Sequence, residues 1–130
     1  MTLRDHCVLG FVGICLWALA FLLGMPSNYF QEWNTVELIL LSLVTCFGIA
    51  PFIAFVVIIL LGRDYLKTGV WLAFYTSVPL AILDFIVLGI IQGKGIGFWA
   101  SHWYLVLGYI YVWIIGPLVG LSLRKLKKAV

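Results

Sequence analysis

The sequence predicts an all-α integral membrane protein, an antiparallel four-transmembrane-helix bundle with both termini in the cytoplasm. Three observations predict it. The chain of 130 residues is 65% hydrophobic and only 10% charged, whereas a soluble domain has about 25% charged residues. It contains four long apolar runs, and its basic residues fall almost entirely on one side of them. This composition excludes a soluble globule, and it also excludes a disordered chain, which needs low hydrophobicity and high charge.

Each apolar run has the length that a bilayer requires. A hydrocarbon core of about 30 Å needs about 20 mostly apolar residues per helix. We predict spans over residues 7–24, 36–61, 70–91 and 103–123 of a single membrane domain, 1–130. A transmembrane barrel would instead need segments of about ten residues that alternate apolar and polar side chains. The runs are apolar on every face, so helices are favoured.

The connecting segments contain residues that begin and end helices. Pro26 and Asn28 follow the first run, and Gly62 follows the second. Asn34 and Glu37 have the spacing of a capping box at the start of the second helix. These residues predict short turns between antiparallel helices.

The last connection is rich in glycine and lies between the third and fourth runs. The segment 93–97 reads Gly-Lys-Gly-Ile-Gly, and it lacks the Gly-Lys-Ser/Thr element of a nucleotide-binding loop. It is interpreted as a flexible turn. Ser101 is expected to cap the start of the fourth helix.

The orientation follows from the basic residues, because short cytoplasmic loops are enriched in lysine and arginine. With four spans, both termini and the second connection share one side of the membrane. That side holds seven of the eight basic residues: Arg4, Arg63, Lys67, Arg124, Lys125, Lys127 and Lys128. The other side holds only Lys94. The net charge of +3 is therefore a topology signal in a plasma or inner membrane protein, and no nucleic-acid partner is expected.

Small residues at regular spacing indicate where the helices pack, since small side chains let helix backbones approach in lipid. The second and fourth runs each have such a stripe. The stripes are Ser42, Cys46, Ala50 and Ala54, and Gly108, Gly116 and Gly120. We expect both stripes to face the interior of the bundle.

Asp84 is the main candidate for a functional side chain, because it is the only ionisable residue well inside a predicted span. Such residues are costly in lipid and mark functional sites by default. It is expected to serve as a proton or ion site, to bind a ligand, or to form a hydrogen bond that fixes helix packing. The candidate partners are Ser77 on its own helix, Tyr104, Tyr109 and Tyr111 of the fourth run, and Glu37 and His102.

A second candidate site lies at the predicted outer rim, where polar and aromatic residues are mixed. The candidates are Glu37, Trp99, His102 and Trp103. They are expected either to contact the head group of a lipid, quinone or pigment, or to form an ordinary interfacial belt. No cofactor is predicted. No metal site is expected either, because the two histidines lie at opposite membrane faces and the three cysteines form no C-x-x-C motif.

Three functions remain open on these observations. The first is an accessory subunit of a larger membrane complex or a protein that contacts lipophilic molecules, with Trp17 and Trp113 packing against a partner or a lipophilic cofactor. The second is a small oligomeric transporter or channel that uses Asp84. The third, a membrane enzyme on a lipid-like substrate, would use Asp84, His102 and Lys94, and it is the least expected. The expected partners are membrane lipids and either other membrane subunits or further copies of the chain.

Overall fold

The computed structural model describes residues 1–62 and 64–129, and nearly all of them are helical. Four helices are long and apolar enough to cross a membrane. They are α1 (Leu3–Ser27), α2 (Thr35–Leu61), α3 (Tyr65–Ile91) and α4 (Trp103–Ala129). The predicted all-helical chain with four such helices is confirmed. Arg63, one of the seven basic residues that predict the orientation, lies outside the described residues.

The helices extend beyond the predicted spans because helical hydrogen bonding continues where the apolar character ends. At the start of α1, Thr2 and Asp5 form a capping box. At the start of α3, the side chain of Asp64 accepts a hydrogen bond from the backbone of Lys67. At its C-terminal end, α4 continues through the basic segment to Ala129.

The capping box predicted for α2 is confirmed. Asn34 Oδ1 accepts from the backbone nitrogen of Glu37 at 3.0 Å, and a carboxylate oxygen of Glu37 accepts from the backbone nitrogen of Asn34 at 3.1 Å. The cap predicted at Ser101 is wrong. Ser101 ends a short helical segment, Phe98–Ser101, and its hydroxyl donates back to the carbonyl of Phe98 at 3.1 Å.

Glycines let the backbones of α3 and α4 approach closely. A Cβ atom on Gly69 would collide with the backbone carbonyl of Gly116, and one on Gly116 would collide with that of Gly69. One turn further along α4, Gly120 faces the carbonyl of Tyr65 in the same way. Backbones can approach this closely only where no side chain intervenes.

All four helices meet at one end of the bundle, the end that holds both termini. We call this the terminal end. Its core is formed by Leu9, Ala54, Ile58, Leu72 and Leu123. A smaller apolar cluster of Tyr29, Leu88 and Phe98 lies at the opposite end.

Helix α2 belongs to the bundle over only part of its length. Its first part, Thr35–Val44, contains no buried residue, and its main contacts are with the π-helical turn Thr45–Ile49 that follows it. The remainder, Ala50–Leu61, packs against α3 and α4. At the turn, the hydroxyl of Tyr111 on α4 donates to the carbonyl of Cys46. We call Thr35–Val44 the detached segment.

The two stripes of small residues therefore do not face the interior along their whole length, as expected from the sequence. Ala54 is buried, Ala50 and Cys46 are half-buried, and Ser42 on the detached segment is exposed. On α4, Gly116 and Gly120 are buried, whereas no atom lies within 4 Å of a Cβ placed on Gly108. The physical reason is the divergence of α2, which leaves no neighbouring helix opposite Ser42.

Candidate functional site

Asp84 is buried between the helices rather than exposed on the outer surface of the bundle. It is the last residue of the α-helical part of α3, immediately before the π-helical segment Phe85–Ile91. Only 4% of its surface is exposed. A carboxylate at such a position needs hydrogen-bond donors, because burying an unpaired charge is very unfavourable.

Three donors from different parts of the chain converge on this carboxylate. The indole nitrogen of Trp17 on α1 donates to Oδ1 at 2.7 Å, and the hydroxyl of Tyr29 donates to the same oxygen at 2.9 Å. The hydroxyl of Tyr109 on α4 donates to Oδ2. An ionised carboxylate has about four acceptor positions, so most of its capacity is used within the chain. Asp84 thereby links α1, α4 and the α1–α2 connection to α3.

Tyr29 reaches Asp84 through an unusual backbone. Asn28, Tyr29 and Phe30 have φ values of 49°, 59° and 68°, a left-handed conformation that costs a non-glycine residue about 1–2 kcal/mol. Side chains hold the turn in place, since Tyr104 on α4 donates to the carbonyl of Tyr29. Burial, together with the charge of Asp84, raises the pKa of Tyr29. Its hydroxyl therefore keeps its proton and stays a donor to Asp84.

The structure brings together only some of the partners predicted for Asp84. Tyr109 contacts the carboxylate, whereas Tyr104 bonds to Tyr29 and Tyr111 bonds to Cys46. Ser77 is buried on α3, but its hydroxyl donates to the carbonyl of Ala73 at 2.7 Å in its own helix.

Sequence reasoning missed two of the three donors, Trp17 and Tyr29. A signal for Trp17 was available, because a buried indole N–H usually has an acceptor and Asp84 is the acidic residue at that depth. Tyr29 gave no comparable signal, since its position depends on the left-handed turn.

His102 forms a second buried polar group near the first. It is fully buried, and its ring is surrounded by the rings of Tyr29, Phe98 and Tyr104 at centroid distances of 5.8–6.2 Å. Its Nδ1 atom lies 2.8 Å from the hydroxyl of Ser101 and 3.2 Å from the carbonyl of Phe98. Its Nε2 atom has no hydrogen-bond partner among the described residues. Burial lowers the pKa of His102 below its ordinary value of 6.5, and the positive charge of Lys94 lowers it further.

Of the other residues predicted at the outer rim, one lies beside the residues around Asp84 and two do not. The ring centroid of Trp99 lies 4.2 Å from that of Phe98 and 6.0 Å from that of Tyr109, and the latter contact is edge-on. Trp103 is 61% exposed, and Glu37 caps the detached segment of α2. Trp99 and His102 therefore adjoin the residues around Asp84, whereas Glu37 and Trp103 do not.

Among residues 1–62 and 64–129, no three His, Cys, Asp or Glu side chains are grouped as a metal ion would require, and the cysteines are unpaired. The chemistry the site offers is hydrogen bonding, through a carboxylate with most of its acceptor positions occupied and a histidine whose Nε2 atom has no partner among the described residues. Comparison of the chain with protein-family models, curated proteins and solved structures finds no match.

Proposed function

We propose that this chain is an accessory subunit of a larger membrane assembly, and that the detached segment of α2 binds a transmembrane helix of another subunit. The single observation that carries the proposal is that Thr35–Val44 is a capped helix with no buried residue. Most of its apolar side chains are exposed, whereas the rest of α2 packs in the bundle. Because this segment diverges from α3 and α4, space remains beside it for a helix of another protein.

The composition of this part of α2 suits a helical partner. Ser42, Thr45 and Gly48 are exposed on the detached segment and the turn that follows it. In lipid, association between helices depends on close packing at small residues and on hydroxyl hydrogen bonds rather than on hydrophobicity. The partner is therefore expected to be an apolar helix with its own small residues at the crossing point.

The geometry of Asp84 supports a structural role over ion transport. Trp17, Tyr29 and Tyr109 already occupy three acceptor positions of the carboxylate. A transported proton or cation would have to displace hydrogen bonds that join the helices. We therefore assign Asp84 to the stability of the bundle.

The proposed orientation places the terminal end in the cytoplasm of a plasma or inner membrane, as the basic residues indicate. The opposite end, with Asp84, His102 and the detached segment, then lies toward the outside. The partner helix is accordingly expected to contact α2 in the outer half of the bilayer.

Site-specific photo-crosslinking in native membranes tests the proposal. Val44 on α2 and Ile82 on α3 make a matched pair, because 57% and 56% of their surfaces are exposed and each lies nine residues from one end of its helix. A photoreactive residue at Val44 is expected to give one discrete adduct with a different membrane protein. The same residue at Ile82 is expected to give none.

A second variant separates binding from folding. Gly48→Leu adds a bulky side chain where no atom lies within 4 Å of the Cβ position, so the bundle itself should be unaffected. The adduct at Val44 should disappear in this variant while thermal stability is unchanged. The proposal is overturned if Val44 gives no adduct, gives the same adducts as Ile82, or crosslinks only to a second copy of the chain.

A further inference from the structure

The π-helical turn of α2 leaves one of its carbonyls without a donor in its own helix. In the turn Thr45–Ile49, the backbone nitrogen of Ala50 donates to the carbonyl of Thr45, five residues earlier. In this register the carbonyl of Cys46 would accept from the backbone nitrogen at position 51. That residue is Pro51, whose nitrogen carries no hydrogen. The backbone of α2 therefore provides no donor for Cys46.

Tyr111 on α4 supplies the missing donor. Its hydroxyl donates to the carbonyl of Cys46, and both residues are half-buried. In the part of the chain that the structure describes, this is the one hydrogen bond between residues 35–49 and another helix. An unpaired carbonyl is strongly unfavourable in hydrocarbon, where no water can replace the donor. The turn therefore depends on Tyr111.

Packing does little to hold the turn in place. Phe47 is 82% exposed, and no atom lies within 4 Å of a Cβ placed on Gly48. Prolines and π-helical turns are features at which helices bend, and here Pro51 follows such a turn. The direction of α2 can therefore change at this point, between the detached segment and the packed remainder Ala50–Leu61.

We infer that Tyr111 is a positioning residue, which fixes the direction of the detached segment and thereby presents that segment to its partner helix. The link to a partner rests on the proposed function, whereas the direction of the segment does not. Without the hydroxyl, the carbonyl of Cys46 lacks a donor as long as the turn keeps its register. The turn should then shift or fluctuate, and the detached segment should change its angle to the bundle.

Distances between spin labels in the full chain, embedded in lipid nanodiscs, test the inference. Labels at Leu40 on the detached segment and Leu107 on α4 report the direction of the segment, and these side chains are 56% and 54% exposed. The native cysteines are replaced by serine for labelling, which keeps the backbone carbonyl of residue 46. Tyr111→Phe should shift or broaden the distribution of this distance.

Two controls separate this effect from a general loss of structure. Labels at Ile59 and Leu118 lie on the packed part of α2 and on α4, and their distance should be the same in Tyr111→Phe as in the wild-type chain. Tyr65→Phe removes a hydroxyl at the terminal end and should leave both distances unchanged. A change at both pairs in Tyr111→Phe would assign Tyr111 to the stability of the whole bundle and overturn the inference.

A rescue variant tests the cause directly. Pro51→Ala restores a backbone N–H at position 51, so the carbonyl of Cys46 has a donor within α2 and no longer needs Tyr111. In this background, Tyr111→Phe should cause no further change in the distance between Leu40 and Leu107. The inference is overturned if Tyr111→Phe has the same effect with and without Pro51→Ala, or no effect in either background.

Photo-crosslinking connects the direction of the segment to its partner. The adduct at Val44 should fall in yield in Tyr111→Phe and keep its wild-type yield in Tyr65→Phe. If Val44 gives no adduct in the wild-type chain, the proposed function fails and the spin-label distances alone decide the role of Tyr111. An undiminished adduct in Tyr111→Phe would overturn its role in presenting the segment.

Discussion

The indole nitrogen of Trp17 donates a 2.7 Å hydrogen bond to the carboxylate of Asp84, which lies 67 positions later in the chain. This bond joins α1 to α3 near the end of the bundle opposite the termini, where apolar contacts are fewer than at the terminal end. Together with the bonds from Tyr29 and Tyr109, it makes Asp84 the residue that joins α1, the α1–α2 connection and α4 to α3.

Removing the carboxylate should destabilise the protein in proportion to the donors that lose their acceptor. Asp84→Leu leaves three donors without their acceptor, one on buried Tyr29 and two on half-buried Trp17 and Tyr109, and is expected to lower the free energy of unfolding by about 3 kcal/mol. Asp84→Asn keeps one acceptor oxygen and is expected to lower it by about 1–2 kcal/mol. Thermal unfolding in mild detergent measures both. Equal stability of Asp84→Leu and the wild-type chain would contradict the structural role.

The bond between Trp17 and Asp84 can be measured by itself with a double-mutant cycle. Trp17→Phe removes the donor and retains a ring to stack on Phe21, whose centroid lies 5.2 Å away. Combined with Asp84→Leu, it should show a coupling energy of about 0.5–1.5 kcal/mol. Trp113→Phe serves as the control, because Trp113 is 44% exposed, and its coupling to Asp84→Leu should be near zero.

Two glycines of α4 should differ in how strongly the same substitution destabilises the protein. Gly116→Ala places a methyl group against the backbone carbonyl of Gly69, and such overpacking costs about 1–3 kcal/mol. Gly108→Ala adds the same group where no atom lies within 4 Å, so its effect should be small. Comparison of the two melting temperatures checks the packing of α3 against α4, and a larger loss at Gly108 would contradict it.

Acidification should destabilise the chain through His102. Its pKa is lowered in the folded state, so the unfolded chain binds the proton at higher pH and stability falls as the pH drops below about 6.5. The charged or titratable groups that act on it are Lys94 and Asp84, and Tyr29 and Tyr104 border its ring. Melting temperatures at pH 7.5 and 5.5, in phosphate-free detergent, should differ less for His102→Phe than for the wild-type chain. His6→Phe, the matched control, should keep the wild-type difference.

The proposed orientation predicts which connections an impermeant thiol reagent reaches. In a chain whose native cysteines are replaced by serine, Gln92→Cys should be labelled in intact cells, because the α3–α4 connection lies outside. Lys67→Cys should be labelled only after the membrane is permeabilised. Both side chains are exposed, so the difference reports topology rather than burial. Labelling of both positions in intact cells would exclude the proposed orientation.

The helices could be predicted from the sequence because length and hydropathy determine them directly. The capping box at Asn34 could also be predicted, because it depends only on residue spacing within one turn. Asp84 stood out as an ionisable residue in an apolar run, and its burial agrees with that reasoning.

The donors to Asp84 and the divergence of α2 depend on features that spacing does not contain. Trp17 reaches the carboxylate only because of the rotation of α1 about its axis, and Tyr29 only because of three consecutive left-handed residues. The stripe from Ser42 to Ala54 is regular along both parts of α2, so its spacing could not show that only one part packs. The bond that marks the divergence runs from the side chain of Tyr111 to a backbone carbonyl.

The positions of the three donors to Asp84 also imply an order of assembly during synthesis. Trp17 and Tyr29 leave the ribosome before Asp84, so two partners already exist when α3 is synthesised. Tyr109 follows 25 positions later, so Oδ2 of Asp84 lacks its donor until α4 has been synthesised. A chain that stalls between α3 and α4 would therefore hold a carboxylate with one oxygen unpaired.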